Sequence, residues 1–229
     1  CRACNTLHES GQICPHCNCR IFADGMLKVD GQSYCQSQAD EVDKNILFCR
    51  ECSCFVHKTC CDEAYLSQFN KALLQTITQS TATASSRKYL NIILCKKCFQ
   101  KKLKECVKRL RKIDEQAYFT LTVTRDIAPT YFDVIKTPMS LSIMDDKVGN
   151  SYNIIDSFVY DFYLICHNAL LFNDAHSRVW NEAWKFYEKG NMVVDEYLFD
   201  ISMIFDANRI MSFLKSTKLF QYIESKVEK

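Results

Sequence analysis

Cysteine content limits this chain more than any other feature. Fifteen of the 229 residues are Cys; thirteen lie at or before Cys98, and only Cys106 and Cys166 follow. A segment this dense in thiols is held by disulfides or by metal. The pairing favours metal. Cys14-x2-Cys17, Cys49-x2-Cys52 and Cys95-x2-Cys98 each present two thiolates to one ion, and zinc takes four soft ligands in a tetrahedron. The second half reads as an intracellular helical domain, which argues against the oxidised alternative.

The remaining composition is ordinary. A net charge of +2, with 48% apolar and 24% charged residues, suits a globular chain without a large single-sign field. No apolar run reaches the length of a membrane-spanning helix, so no membrane partner is expected. The first residue is Cys1 rather than Met, as in a fragment excised from a longer protein.

The pattern changes near residue 99. Residues 1–98 form a Cys-rich module with two insert-like stretches, Phe22 to Ile46 and Asp62 to Leu94. The second has a helical pattern around Tyr65 to Leu74, then the small, polar run "TQSTATASSRK", which reads as a mobile loop. From Phe99, apolar residues recur at helical spacing: Phe99, Leu103, Cys106, Leu110, Ile113 and Ala117. The opposite face is basic, with Lys101, Lys102, Lys104, Lys108, Arg109, Arg111 and Lys112. No Gly, Pro or Ser separates Cys98 from Ala117, so the first helix should continue out of the zinc module.

A long irregular stretch with Pro129 follows. A second helix is expected from Leu141, a third over about Asn153 to Leu171 and a fourth from Ser177 to at least Lys189. Ile155, Phe158, Val159, Phe162, Ile165 and Ala169 mark the third helix's buried stripe. This is the plan of an up-down bundle interrupted by one long loop, and a loop that long is usually functional. The boundaries read as 1–98 for the zinc module, 99–200 for the bundle and 201–229 for a C-terminal helical extension.

Cys49-x2-Cys52-x4-His57-x2-Cys60, followed by Cys95-x2-Cys98, resembles the second half of the PHD finger signature. That resemblance implies interleaved ligation. One zinc would take Cys49, Cys52, Cys95 and Cys98; the other would take His57, Cys60 and an earlier pair. Cys14 and Cys17 supply that pair by spacing and by their likeness to family starts. Cys1, Cys4, Cys19 and Cys35 then form a further tetrahedral site, giving two PHD zinc ions and a third. A compact knuckle of Cys1, Cys4, Cys14 and Cys17 stays open, as does a preceding finger ending at Cys1 and Cys4. Cys54, Cys61, Cys106 and Cys166 are left over. All these sites read as structural, since no open ligand position or neighbouring base is indicated.

"CPHC", "CSCFVH" and the long segment before the last pair are similar to the PHD–bromodomain reader cassette of mixed-lineage-leukaemia-type histone methyltransferases. In that family an aromatic cage reads methylated lysine near the histone H3 N-terminus by cation–π attraction. Here Phe55 stands where the cage Trp would be, Ile21 or Phe22 where the Tyr would be, and Leu47 at an apolar wall. The alternative is that Phe22 and Phe55 pack the small core.

"APTYFDVIKTPMSL" and "DFYLICHNALLFNDAHSRV" resemble the loop after the first helix (the ZA loop) and the second-motif helix with its following loop (the BC loop) of bromodomains. The fold implied is mainly α: a left-handed four-helix bromodomain bundle preceded by a small zinc-bound PHD-type module. The implied function is reading acetylated lysine on histone H3 or H4 tails, in the nucleus, within a larger multidomain chromatin protein. Asn173 would donate to the acetyl carbonyl, and Tyr131 would reach it through water. Val123 and Ile127 would line the ZA-loop wall, Phe172 the far side, Val179 the entrance and Phe119 the floor. Such a site suits an uncharged side chain whose amide still needs a partner. Asn168 would stabilise the loop rather than touch ligand. Ala117-Tyr118-Phe119 stands at the family's Trp-Pro-Phe shelf and Thr122 at a usual Pro, so weakened binding with altered peptide preference is expected.

No nucleophile elbow, P-loop or dinucleotide fingerprint is present, so an enzyme is not expected. Two other readings remain: a DNA-contacting module acting through the basic first helix, and an interaction scaffold that reads no mark.

Overall fold

The computed structural model divides into two compact units, Cys1–Lys101 and Lys102–Lys229. It describes residues 13–15, 17, 22–23, 26–29, 32–35, 46–49, 51–52, 54–69 and 92–198, with backbone only for 22–35, 46, 48, 92 and 198. The "TQSTATASSRK" run and the 201–229 extension lie outside the described residues.

The first unit has two small sheets. β1 (Phe22–Ala23), β2 (Met26–Val29) and β3 (Gln32–Cys35) form an antiparallel meander. These strands lie in the insert-like stretch, and segments of two to four residues are too short to show alternation in the sequence. β4 (Ile46–Cys49) lies between β5 (Phe55–His57) and β6 (Ile92–Ile93). β4 and β5 are antiparallel, and the Cys49 N–H to Cys54 carbonyl bond of 2.8 Å closes their hairpin. β6 runs parallel to β4, Cys49 opposite Ile93, which brings Cys95 back beside Cys49.

A short helix, α1, covers residues 63–69. Asp62 caps it, its carboxylate accepting from the Tyr65 N–H at 2.7 Å. Tyr65 ties this helix to the end of β6, donating to the Leu94 carbonyl at 2.6 Å and packing edge-on against Phe99. Thiols take much of the space that larger apolar side chains would fill in a bigger core: Cys14, Cys49, Cys54, Cys61 and Cys95 are all buried.

Five helices follow: α2 (Lys96–Ile113), the short α3 (Tyr131–Val134), α4 (Leu141–Asn150), α5 (Ile155–Phe172) and α6 (Arg178–Leu198). The four long ones are those expected from periodicity. α2 starts at Lys96 and stops at Ile113, short of the expected Ala117. The reason is local. The buried Asp114 carboxylate accepts from the N–H groups of Tyr118 and Phe119, both at 2.9 Å, and from the Thr120 hydroxyl at 2.8 Å. Ala117 takes a left-handed φ of 54°. The chain therefore turns out of the helix with its backbone donors satisfied. α3 lies within the long stretch around Pro129, where four residues are too few to show helical spacing in the sequence.

The core of the second unit is a stack of aromatic and aliphatic residues between α2, α5 and α6. Leu103, Leu110, Phe158, Phe162 and Phe186 are buried, and the Phe162 and Phe186 rings lie 5.6 Å apart. α6 approaches closely because residue 190 is glycine. A Cβ there would stand 2.5 Å from the fully buried Phe162 ring and 3.3 Å from Leu110. Gly190→Ala should therefore overpack this crossing and destabilise the unit by about 1–3 kcal/mol, although alanine is the better helix former. Urea denaturation would read this, and an unchanged or raised midpoint would contradict it.

Candidate functional site

Two places in the described residues gather chemistry. The first is one end of the helical unit. Tyr131 opens α3, and its buried ring meets Phe172 edge-on at 5.0 Å and Phe132 at 5.5 Å. Asn173 follows Phe172 as the C-cap of α5, its backbone already extended (φ −90°, ψ 148°). One side-chain N–H of Asn173 donates to the Ala169 carbonyl at 2.8 Å, which fixes the amide; an Asn side chain has a second N–H. Burial raises the Tyr131 hydroxyl above its ordinary range, so it stays a neutral donor at physiological pH.

The surrounding loop is held in several places. Asn168, buried in α5, donates to the Thr137 carbonyl at 2.8 Å just before Pro138. The Leu141 and Ser142 N–H groups bond the Phe119 and Thr120 carbonyls at 2.9 and 3.0 Å. Ser140 caps α4, and its hydroxyl also meets Thr122 at 3.1 Å. Thr122 thus anchors the loop by a hydrogen bond. On the BC side, His176 adopts φ 69°, its carbonyl accepts from the Asn181 amide at 2.9 Å and its ring lies 5.2 Å from Trp180.

The residues singled out as lining are distributed as follows. Phe119 is buried and stacks 4.8 Å from Phe186. Val123, Phe172 and Val179 are half-buried. Ile127 is 76% exposed, as is much of nearby Leu121. Tyr131, Phe172 and the fixed amide of Asn173 thus adjoin where α3 meets the end of α5.

Residues 103–185 match the bromodomain family model.

The helical unit thus has a bromodomain fold. The chain is 35% identical over 92 residues to bromodomain-containing protein 9 of Xenopus tropicalis, which is 40% of this chain and 15% of that protein. It is 32% identical over 98 residues to human bromodomain-containing protein 7, covering 42% and 15% respectively. The chain therefore spans only a small part of these curated relatives. Among solved structures, a Trypanosoma brucei bromodomain in complex with bromosporine aligns with TM-score 0.42 and 25% identity, over 43% of this chain and 86% of that one.

The second place lies outside the bromodomain match, where two thiol-rich clusters could each hold a metal ion. Cys14, Cys17, His57 and Cys60 offer ligand atoms all within 4.8 Å of one another. The Cys17 and Cys60 sulfurs stand 3.4 and 3.8 Å from His57 Nδ1. Ligands at zinc distances of about 2.0 and 2.3 Å in a tetrahedron would be about 3.5 Å apart, so this donor set fits. Hydrogen bonding to the Cys14 thiol, with Cys17 adding, holds His57 up at about 9 against its burial.

The other cluster is Cys49, Cys52, Cys54 and Cys95. Cys49 is buried between the two chain segments, and its sulfur accepts from the Cys95 N–H at 3.1 Å. Cys54, left over in the sequence reading, is one of these four. Cys98, the ligand that the resemblance implies, is half-buried on the first turn of α2. The available signal was position alone: Cys54 sits in the tight hairpin directly after the Cys49–Cys52 pair.

Cys1, Cys4 and Cys19 lie outside the described residues, as does the side chain of Cys35, which ends β3. Of the residues considered for a methyl-lysine cage, Leu47 is buried and pairs with Val56. Phe55 neighbours Val56 and so faces the other side of the sheet, half-buried. The strand register does not bring Leu47 and Phe55 together. The Phe22 side chain and Ile21 lie outside the described residues.

Proposed function

We propose that this chain is a chromatin reader whose bromodomain binds acetylated lysine of histone H3 or H4 tails, with Asn173 as the anchoring donor. The observation that supports the reading is the edge-on contact of Tyr131 with Phe172, the residue directly before Asn173. Acetylation removes the lysine charge but leaves an amide that must be satisfied once desolvated. The Asn173 amide supplies the direct bond, Tyr131 a water-bridged one, and Val123, Phe119 and Val179 the apolar contacts. The exposed face of Ile127 gives apolar surface that a peptide can cover.

Asn173→Ala leaves the ligand carbonyl without its donor. The expected loss is about 1–3 kcal/mol, roughly 5- to 150-fold in affinity. Calorimetry with mono- and diacetylated tails measures it, with a melting curve to verify the fold, because the Ala169 bond is lost as well. Equal binding by the variant and the parent would refute this site. A parent that binds no acetylated peptide would favour the non-reading scaffold.

We read the thiol clusters as zinc sites of a PHD-type module, and we propose that the chain acts in the nucleus as part of a larger chromatin protein. Phe55, half-exposed on β5, is the residue through which that module would contact the H3 N-terminus. A second partner is supported by α2. Lys97, Lys101, Lys104, Lys108 and Lys112 are all exposed and recur every three or four residues, forming one cationic face opposite buried Phe99, Leu103 and Leu110. About five neutralised phosphates would give a salt slope near −4.5. Duplex DNA binding should then weaken roughly 10²- to 10³-fold between 50 and 200 mM salt. Fluorescence anisotropy at the two concentrations tests this, and affinity unmoved by salt would reject DNA as a partner.

A further inference from the structure

Arg178 is exposed at the start of α6, directly before Val179. Its guanidinium reaches a segment far away along the chain. The Nη2 group donates to the Gln116 side-chain oxygen at 2.9 Å. The guanidinium carbon lies 6.0 Å from the centre of the Tyr118 ring, at the roughly 6 Å limit for attraction between a cation and a ring face. Tyr118 precedes Phe119 as Arg178 precedes Val179. The contact therefore joins the two segments that carry Phe119 and Val179, both proposed above as apolar contacts of the acetyl-lysine.

The segment that Arg178 meets is itself fixed. The Asp114 carboxylate accepts from the N–H groups of Tyr118 and Phe119, both at 2.9 Å, and the Phe119 ring stacks 4.8 Å from Phe186. The charge, however, is not cancelled there, since Gln116 and Tyr118 are both neutral. Glu182 stands one turn along α6, where helical spacing would offer Arg178 an acid, but its carboxylate is engaged by Lys185 at 2.7 Å. Among the described residues no carboxylate forms an ion pair with Arg178. A guanidinium is thus oriented by two neutral groups, with donors to spare. Its fork matches a carboxylate or a phosphate bidentately, and a group already oriented loses less freedom on binding.

We propose that Arg178 is a specificity-determining residue that favours peptides with an anionic side chain, a carboxylate or a phosphate, within three residues of the acetyl-lysine. An extended peptide advances about 3.3 Å per residue, so the neighbours of the acetylated residue pass over the segments that flank its site. The same charge disfavours a flanking Lys or Arg. The proposal rests on the acetyl-lysine reading of the bromodomain, which the Asn173→Ala variant tests separately.

The experiment is calorimetry on the full chain with matched acetylated peptides in which one flanking residue is Ser, Glu, phosphoserine or Lys, placed in turn at each of the three positions on either side. The parent should bind the best-placed anionic peptide roughly 3- to 10-fold more tightly than its Ser counterpart, above the usual worth of an exposed ion pair because the fork is oriented. Raising the salt concentration should narrow the gap. A gain with Glu and phosphoserine alike marks a general anion site, and a gain with phosphoserine alone narrows it to phosphate.

Arg178→Gln should bind the Ser, Glu and phosphoserine peptides alike, and Arg178→Glu should invert the order in favour of Lys. Lys189→Gln removes the same charge about 16 Å further along α6, at ~1.5 Å per residue, beyond the roughly 8 Å screening length at physiological salt. It should keep the parent's preference. A parent indifferent to the flanking charge at every position would overturn the proposal, as would a preference that survives both Arg178 variants or vanishes with Lys189→Gln. A parent that binds no acetylated peptide would overturn the acetyl-lysine reading and this proposal with it, whereas binding lost in Asn173→Ala but indifferent to flanking charge would overturn this proposal alone.

Discussion

Chelation of the loaded protein should unfold its first unit while the bromodomain keeps its helices. Among its described residues the first unit has short strands and one short helix, and Cys49, His57, Tyr65 and Cys95 are buried where β4 lies between β5 and β6. Structural zinc in small modules contributes an apparent ~10–16 kcal/mol near neutral pH, as much as a whole domain's typical net stability of about 5–15 kcal/mol. Removing the ion also leaves clustered buried thiols with no charge to organise them. Hydrogen exchange followed by mass spectrometry should show protection lost across 46–69 and 92–95 and retained across 155–198. Unchanged protection in the first set after complete metal removal would refute the structural role. Protons compete with the metal for the same atoms: His57, held up at about 9 by hydrogen bonding to Cys14, must be neutral to ligate. Metal affinity should accordingly fall as pH falls, with protons released on binding.

Asp161→Ala should destabilise the bromodomain by about 3 kcal/mol, at the lower end for breaking a buried ion pair. The Asp161 carboxylate is 4% exposed in the middle of α5. It accepts from Lys147 of α4 and, at 2.5 Å, from the Tyr152 hydroxyl. Burial, with the carboxylate adding, holds that hydroxyl well above its ordinary range, so it remains a donor. Without Asp161 the Lys147 ammonium, partly exposed, can turn to water. The Tyr152 hydroxyl is buried and cannot. Both tryptophans, Trp180 and Trp184, lie in α6, so fluorescence during urea denaturation reports this unit. A loss under about 1 kcal/mol would sink the prediction. Replacing Asp161 by Leu together with Tyr152 by Phe should recover much of the stability, because it removes the buried hydroxyl along with its acceptor rather than stranding it.

None of that network is visible in the linear chain. Asp161 sits among Val159, Phe162 and Ile165 and breaks an apolar stripe; only its pairing with a lysine fourteen residues earlier explains it. Asp114 ends α2 by bonding residues four to six positions ahead, a pattern hidden by an apolar repeat that continues to Ala117. Asn168 read as loop support from its motif, and its bond to Thr137 is the corresponding contact.

By itself the sequence determined whatever depends on neighbours within a few positions. The three-or-four spacing of apolar residues gave the four long helices, because one helical face must be apolar to pack. The Cys-x2-Cys spacing marked local ligand pairs, because two thiolates that close can share an ion. The two motifs marked Tyr131 and Asn173. Tertiary structure decided what depends on segments meeting: Cys54 joining Cys95 across more than forty residues, Gly190 admitting the Phe162 ring, and Leu47 and Phe55 falling on opposite faces of a sheet. Such contacts follow from strand register and helix approach, which are set by the packing of the whole unit and leave no periodic trace in the chain.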